Sequence, residues 1–201
     1  MTPSTVLAID VAILVPPALR QALTRLNVML AGPPDGFRFD DSHLPHITLA
    51  QQFVHTAHLA AVSRTVGDLT RDLSAFALET SDVSHGRTAS TWQVRPTPTL
   101  VRLHRHLMDA LRRFDAGHAT LASFVANHEP PRAADLDWVT TYRAQAAYDR
   151  FDPHITLGVG ALPATPEPAR FVATHLALCH LGRHCTCRRL IARWSLTRSD
   201  R

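Results

Sequence analysis

Apolar positions along this chain recur at two different periods, and the switches between them mark out the elements. Residues 4–15, STVLAIDVAILV, form a nearly unbroken aliphatic and β-branched run, the pattern of a buried strand. Pro16 and Pro17 then suit a helix start, and ALRQALTRLNVML takes up helical spacing. AGPPDG at 31–36 reads as a loop. HITLAQQFV at 46–54 returns to strand character, and 57–74 predicts a second helix with Leu59, Val62, Val66 and Leu69 along one face. Residues 76–84 and 89–95 read as two strands joined at HGRT, a turn centred on Gly86.

The strongest helical pattern is 98–114, where Leu100, Leu103, Leu107 and Leu111 line one side. The pattern weakens over 115–150. There NHEPPRAAD (127–135) reads as a loop, and Asp135 is placed to cap a helix over LDWVTTYRAQAAY. A strand at 154–159, a proline-rich connection at 161–169 and a terminal hairpin turning near Gly182 complete the chain. Helices interleaved with antiparallel strand signals predict an α+β fold.

The 201 residues suit a single domain, 1–201, built from two similar lobes, and the 45% apolar content is enough for a real core. The net charge of +4 rests on arginines spread along the chain, which fits an anionic substrate such as a phosphate ester. No apolar run approaches the roughly 18 residues of a membrane span. Asp10 interrupts the first apolar stretch, which reads as a strand and not a signal peptide. Three cysteines make no full disulfide set, so the expected compartment is reducing cytoplasm.

One phrase occurs twice. LPHITLAQQF spans 44–53 and DPHITLGVG spans 152–160, so Pro-His-Ile-Thr-Leu stands once in each half. That argues for internal duplication with approximate two-fold symmetry. On a strand, His and Thr of HITL share one face while Ile and Leu share the other. If the lobes pack symmetrically, His46, Thr48, His154 and Thr156 converge on one cavity. Two histidines in one cleft suit general acid–base chemistry near neutral pH. Cleaving a phosphodiester needs one group to take a proton from the attacking oxygen and another to give one to the leaving oxygen. The threonine hydroxyls can hydrogen-bond the non-bridging oxygens as charge builds on phosphorus. The scheme requires no metal and no cofactor. A repeat kept only for packing would not need both a His and a Thr on the polar face.

These motifs resemble the 2H phosphoesterase superfamily, which includes the 2′-5′ RNA ligases and the cyclic nucleotide phosphodiesterases. LAIDVAILVPPALRQAL, FDPHITLG and CRRLIARWSL add to the likeness. The resemblance implies a bilobal fold, with two pseudo-symmetric antiparallel sheets, outer helices and a central cleft. It implies His46 and His154 as acid and base, in an order left open, and Thr48 and Thr156 as phosphate ligands. The implied substrates are RNA ends or nucleotides with 2′,3′-cyclic phosphates or 2′-5′ linkages, with reversible ATP-free 2′-5′ ligation as a companion reaction. The chain has no phosphate-binding P-loop, which agrees. No membrane association and no obligate protein partner is expected.

The remaining histidines read as bland. His55, His58, His104, His106, His118 and His128 are expected at the surface, and His43 is within reach of the cleft mouth. CHLGRHCTC (179–187) offers Cys179, His180, His184, Cys185 and Cys187 as a rival zinc cluster, but it contains no C-x-x-C pair. A terminal hairpin with small, partly buried cysteines is the simpler reading. Phe53 is expected on the Ile/Leu face, in the core. Trp92 is the better candidate for stacking on a base, although a core position is as natural. Tyr142 and Tyr148 suit a lid, and Arg87 and Arg95 are either phosphate partners or surface charges. Two other classes stay open: a non-catalytic nucleotide- or RNA-binding module of the same fold, and a zinc-stabilised interaction domain.

Overall fold

The computed structural model describes residues 5–86, 88–126 and 129–197. Arg87 and His128 therefore lie outside the described residues. The elements run β1 (Val6–Leu14), α1 (Pro17–Asn27), β2 (His46–His55), α2 (Leu59–Thr70), β3 (Phe76–His85), β4 (Ala89–Val94), α3 (Pro98–Leu111), α4 (Ala133–Gln145), β5 (His154–Val159), β6 (Arg170–Ala173), β7 (His175–Leu181) and β8 (Cys187–Ser195). Most follow the periodicity closely. α3 begins where Pro98 supplies a preset φ, and the Leu100 N–H donates to the Thr97 hydroxyl at 3.2 Å. Its predicted stripe is buried, and each fully buried leucine contributes about 2 kcal/mol.

Two differences have local causes. Asp135 lies inside α4 and not before it. Its carboxylate reaches back to accept from the Arg132 backbone N–H at 2.8 Å, so it closes the helix start from within. The terminal segment is not one hairpin. It breaks at Thr174, and the piece before the break, β6, pairs with β3, while β7 pairs with β1 and β8.

The strands form two antiparallel four-stranded sheets, ordered β2-β1-β7-β8 and β5-β4-β3-β6. The orders superimpose as a pseudo-two-fold pattern, with β2 matching β5, β1 matching β4, and α1 matching α3. The helices cross over: α1, which joins β1 to β2, packs on β5, and α3, which joins β4 to β5, packs on β2. The lobes are thus laced together, and one continuous core runs beneath both sheets.

Each HITL strand carries a bulge at its leucine. Across β1–β2 the register jumps from Ala12↔Thr48 to Val11↔Ala50, and across β4–β5 from Thr91↔Thr156 to Ser90↔Gly158. Leu49 and Leu157 are the extra residues. A buried helix side chain satisfies each bulged carbonyl. His104 Nδ1–H of α3 donates to Leu49 O at 2.6 Å, and Asn27 Nδ2 of α1 donates to Leu157 O at 2.8 Å. His104 is therefore no surface residue. It is fully buried, stacked on Phe151 at 3.8 Å, and its Nε2 accepts from the Tyr148 N–H at 2.8 Å.

Candidate functional site

The four motif side chains line one cleft of about 490 Å³, which Trp138 and Tyr142 of α4 also line. Before each bulge the alternation holds, with Ile47, Leu49, Ile155 and Leu157 in the core and His and Thr facing the cleft. Both histidines are held alike. His46 Nδ1–H donates to Leu44 O at 2.7 Å and His154 Nδ1–H to Asp152 O at 2.8 Å, each to the carbonyl two residues back. That bond sets the tautomer and leaves Nε2 of each ring for chemistry.

The two halves differ in what supports them. On the first side, Asp10 of β1 is fully buried. Its Oδ2 accepts from the Thr48 hydroxyl at 2.7 Å and from Gln51 Nε2 at 2.8 Å, and stands 3.5 Å from His46 Nε2. Burial opposes a charge on His46, but the hydrogen bond and negative charge of Asp10 outweigh it and raise the ring's pKa. Gln51 is fixed in turn, its Oε1 accepting from Trp138 Nε1–H at 3.0 Å. Among the described residues no carboxylate pairs with His154, and the Thr156 hydroxyl is not engaged in a hydrogen bond.

Asp10, Gln51 and Trp138 escape a reading of the motifs alone. Asp10 had a signal: it is the lone charge inside an apolar strand. Gln51 reaches the motif face only because the bulge at Leu49 reverses the alternation after Thr48. The same reversal moves Phe53. It is buried as expected, but it packs with Val6, Ala8 and Phe124 and so lies off the Ile/Leu face.

Other candidates fall away from the cleft. Trp92 is 2% exposed, lies in the core, and donates from Nε1 to Ser81 O. Arg95 pairs with Glu79. His43 is buried, stacked on Phe37 and bonded to Asp40, Glu129 and Arg188. Tyr148 bonds Asp109, whereas Tyr142 lines the cleft, where burial and the charge of Asp10 push its hydroxyl pKa up. His55, His58, His106 and His118 are exposed as expected.

The cluster at 179–187 does not assemble as a metal centre of its own. His180 Nε2–H donates to Ser123 O, and Cys185 turns to Asp135 O. His184 lines the cleft, its pKa pushed down to about 4, first by burial and then by the charge of Arg132.

A model of the 2′-5′ RNA ligase superfamily matches residues 15–190. A search of curated protein sequences finds no match. Among solved structures, one described as a phosphoesterase aligns with a TM-score of 0.62 at 18% identity, covering 96% of this chain and 99% of its own. Escherichia coli LigT in complex with 3′-AMP aligns at 0.60 and 19% identity, covering 96% and 99%. TT0787 of Thermus thermophilus aligns at 0.60 and 14%, covering 96% and 100%. At such identities these structures establish a shared fold, and the sequence match over residues 15–190 goes further. With its paired sheets and central cleft, the chain belongs to the 2′-5′ RNA ligase superfamily, the phosphoester-acting 2H phosphoesterases.

Proposed function

We propose that the protein is a metal-independent phosphodiesterase that opens 2′,3′-cyclic phosphates of RNA ends or nucleotides, or cleaves 2′-5′ linkages. The observation that carries this reading is the matched restraint of His46 and His154, each with Nδ1–H on the carbonyl two residues back and Nε2 left for proton transfer. One Nε2 takes a proton from water as its oxygen bonds to phosphorus. The other gives a proton to the departing ribose oxygen as the P–O bond breaks. When the 5′-hydroxyl of a second ribose attacks a 2′,3′-cyclic phosphate in place of water, one Nε2 takes its proton, the other protonates the departing 3′-oxygen, and a 2′-5′ linkage results.

Thr156 offers its hydroxyl to a non-bridging oxygen directly. Thr48 must exchange Asp10 for the phosphate, and Gln51 keeps the carboxylate company when it does. Trp138, 39% exposed at the cleft wall, gives a base a face to stack on. The structure of LigT with 3′-AMP supports a nucleotide in this role.

The test is product analysis after metal-free incubation with 2′,3′-cyclic nucleotides and 2′-5′-linked dinucleotides. Formation of a single 2′- or 3′-monophosphate is expected. Tight nucleotide binding with no product after long incubation would replace this reading with a binding module.

A further inference from the structure

Cys187, the first residue of β8, is fully buried and takes no part in the reaction scheme. Its Sγ, a carboxylate oxygen of Asp10 and a ring nitrogen of His46 lie within 4.8 Å of one another. Among the described residues no other group of His, Cys, Asp and Glu comes together in this way. Because Leu44 O holds His46 Nδ1, the available nitrogen is Nε2. Asp10 Oδ1 is buried without a hydrogen-bond partner. A lone pair on a buried carboxylate does not usually go unused.

We propose that Asp10, His46 and Cys187 form a zinc-binding site whose occupation switches the reaction off. The donor set fits the ion: thiolate, imidazole and carboxylate are the ligands Zn²⁺ takes, whereas Mg²⁺ and Ca²⁺ seek oxygen alone. The ligands stand on three strands of one sheet, β1, β2 and β8, so little ordering is needed to bring them together. Binding exchanges the thiol proton for the metal: the S–H bond breaks, an S–Zn bond forms, and the proton leaves to solvent. The ion then occupies the lone pair of His46 Nε2, which can neither accept nor deliver a proton.

The inhibitory consequence rests on the two-histidine reading above, but binding does not, and the two are separable. Metal-free protein is titrated with Co²⁺ as a spectroscopic stand-in. One equivalent is expected to give a thiolate-to-cobalt charge-transfer band in the near ultraviolet and the visible bands of a tetrahedral ion. Cys187→Ala should lose the charge-transfer band, and His46→Ala should weaken binding by at least about tenfold. With substrate, one equivalent of Zn²⁺ should cut turnover at least about tenfold, EDTA should restore it, and Cys187→Ala should stay active and become zinc-insensitive. Thermal unfolding of each variant without metal shows that the fold is kept. No charge-transfer band in the wild type, a band that survives Cys187→Ala, or turnover that zinc raises or leaves unchanged would each overturn the proposal. A cobalt band in a protein with no turnover at all would leave the site standing and remove the proposed reaction instead.

Discussion

Asn27 Nδ2 lies 2.8 Å from the carbonyl oxygen of Leu157, one residue beyond Thr156, although the two residues belong to opposite halves of the chain. The same amide donates to Phe37 O, and its Oδ1 accepts from the Phe39 N–H. His104 repeats the arrangement on Leu49 O, one residue beyond Thr48. Each motif strand is therefore braced at its bulge by a helix from the other repeat. Asn27→Ala strips the buried Leu157 O and Phe39 N–H of their partner and leaves Phe37 O only the Arg38 guanidinium, so stability should fall by about 3 kcal/mol. Urea unfolding measures the loss, and an effect within a few tenths of a kcal/mol would show that the bulge holds itself.

His104 predicts a pH dependence. Burial lowers its pKa below the ordinary 6.5, although the Leu49 carbonyl works the other way. The neutral ring is the one the fold uses, since Nε2 accepts from Tyr148 N–H. An unfolded chain thus binds a proton that the folded chain refuses. The contribution is fully present above pH 6.5 and is lost as pH falls from 6.5 through the folded value. His175, His180 and His184 share this sign, so the informative quantity is a difference. Unfolding free energies at several pH values should fall less steeply on acidification for His104→Gln than for wild type. Parallel curves would exclude His104 as a source.

The two bulges differ at one position. Ala50 follows Leu49, but Gly158 follows Leu157 with φ +151°, and a Cβ there would meet Leu30 Cδ1 at 2.9 Å and Asn27 Nδ2 at 3.0 Å. Gly158→Ala should cost about 1–3 kcal/mol in strain and displacement. It should also lower activity by disturbing Thr156. Unchanged melting would mean that α1 sits more loosely on β5 than the contacts imply.

Asp10 organises the first motif by holding Thr48 and Gln51 and facing His46. Replacing it with alanine should lower kcat about 10–100-fold, the scale of a misplaced reacting group. The Michaelis constant should change less, because Thr156 and the stacking wall remain. A variant with wild-type kcat would make Asp10 dispensable to positioning.

Much of this was legible in the sequence, because strand and helix periods are local. The motif residues, the stripe of α3 and the split at Gly86 follow from spacing alone. What was not legible depended on register. A bulge is a fact about two strands, so neither the turning of Gln51 and Phe53 nor the helix braces shows in one strand's alternation. His104 looked like any polar residue on an amphipathic helix. Only the crossing of α3 onto β2 puts it under a carbonyl that needs a donor. Thr174 gave no warning that the terminal segment changes sheets.

If His46 and His154 work as one unit on one phosphorus, the effects of replacing them will not add. The deciding experiment compares turnover of 2′,3′-cyclic nucleotide by His46→Ala, His154→Ala and the double variant. Each single replacement should lower kcat by about 10²–10⁴-fold, and the double variant should lose little more than the worse single, as parts of one device do. Full turnover in either single variant would rule out the two-histidine mechanism.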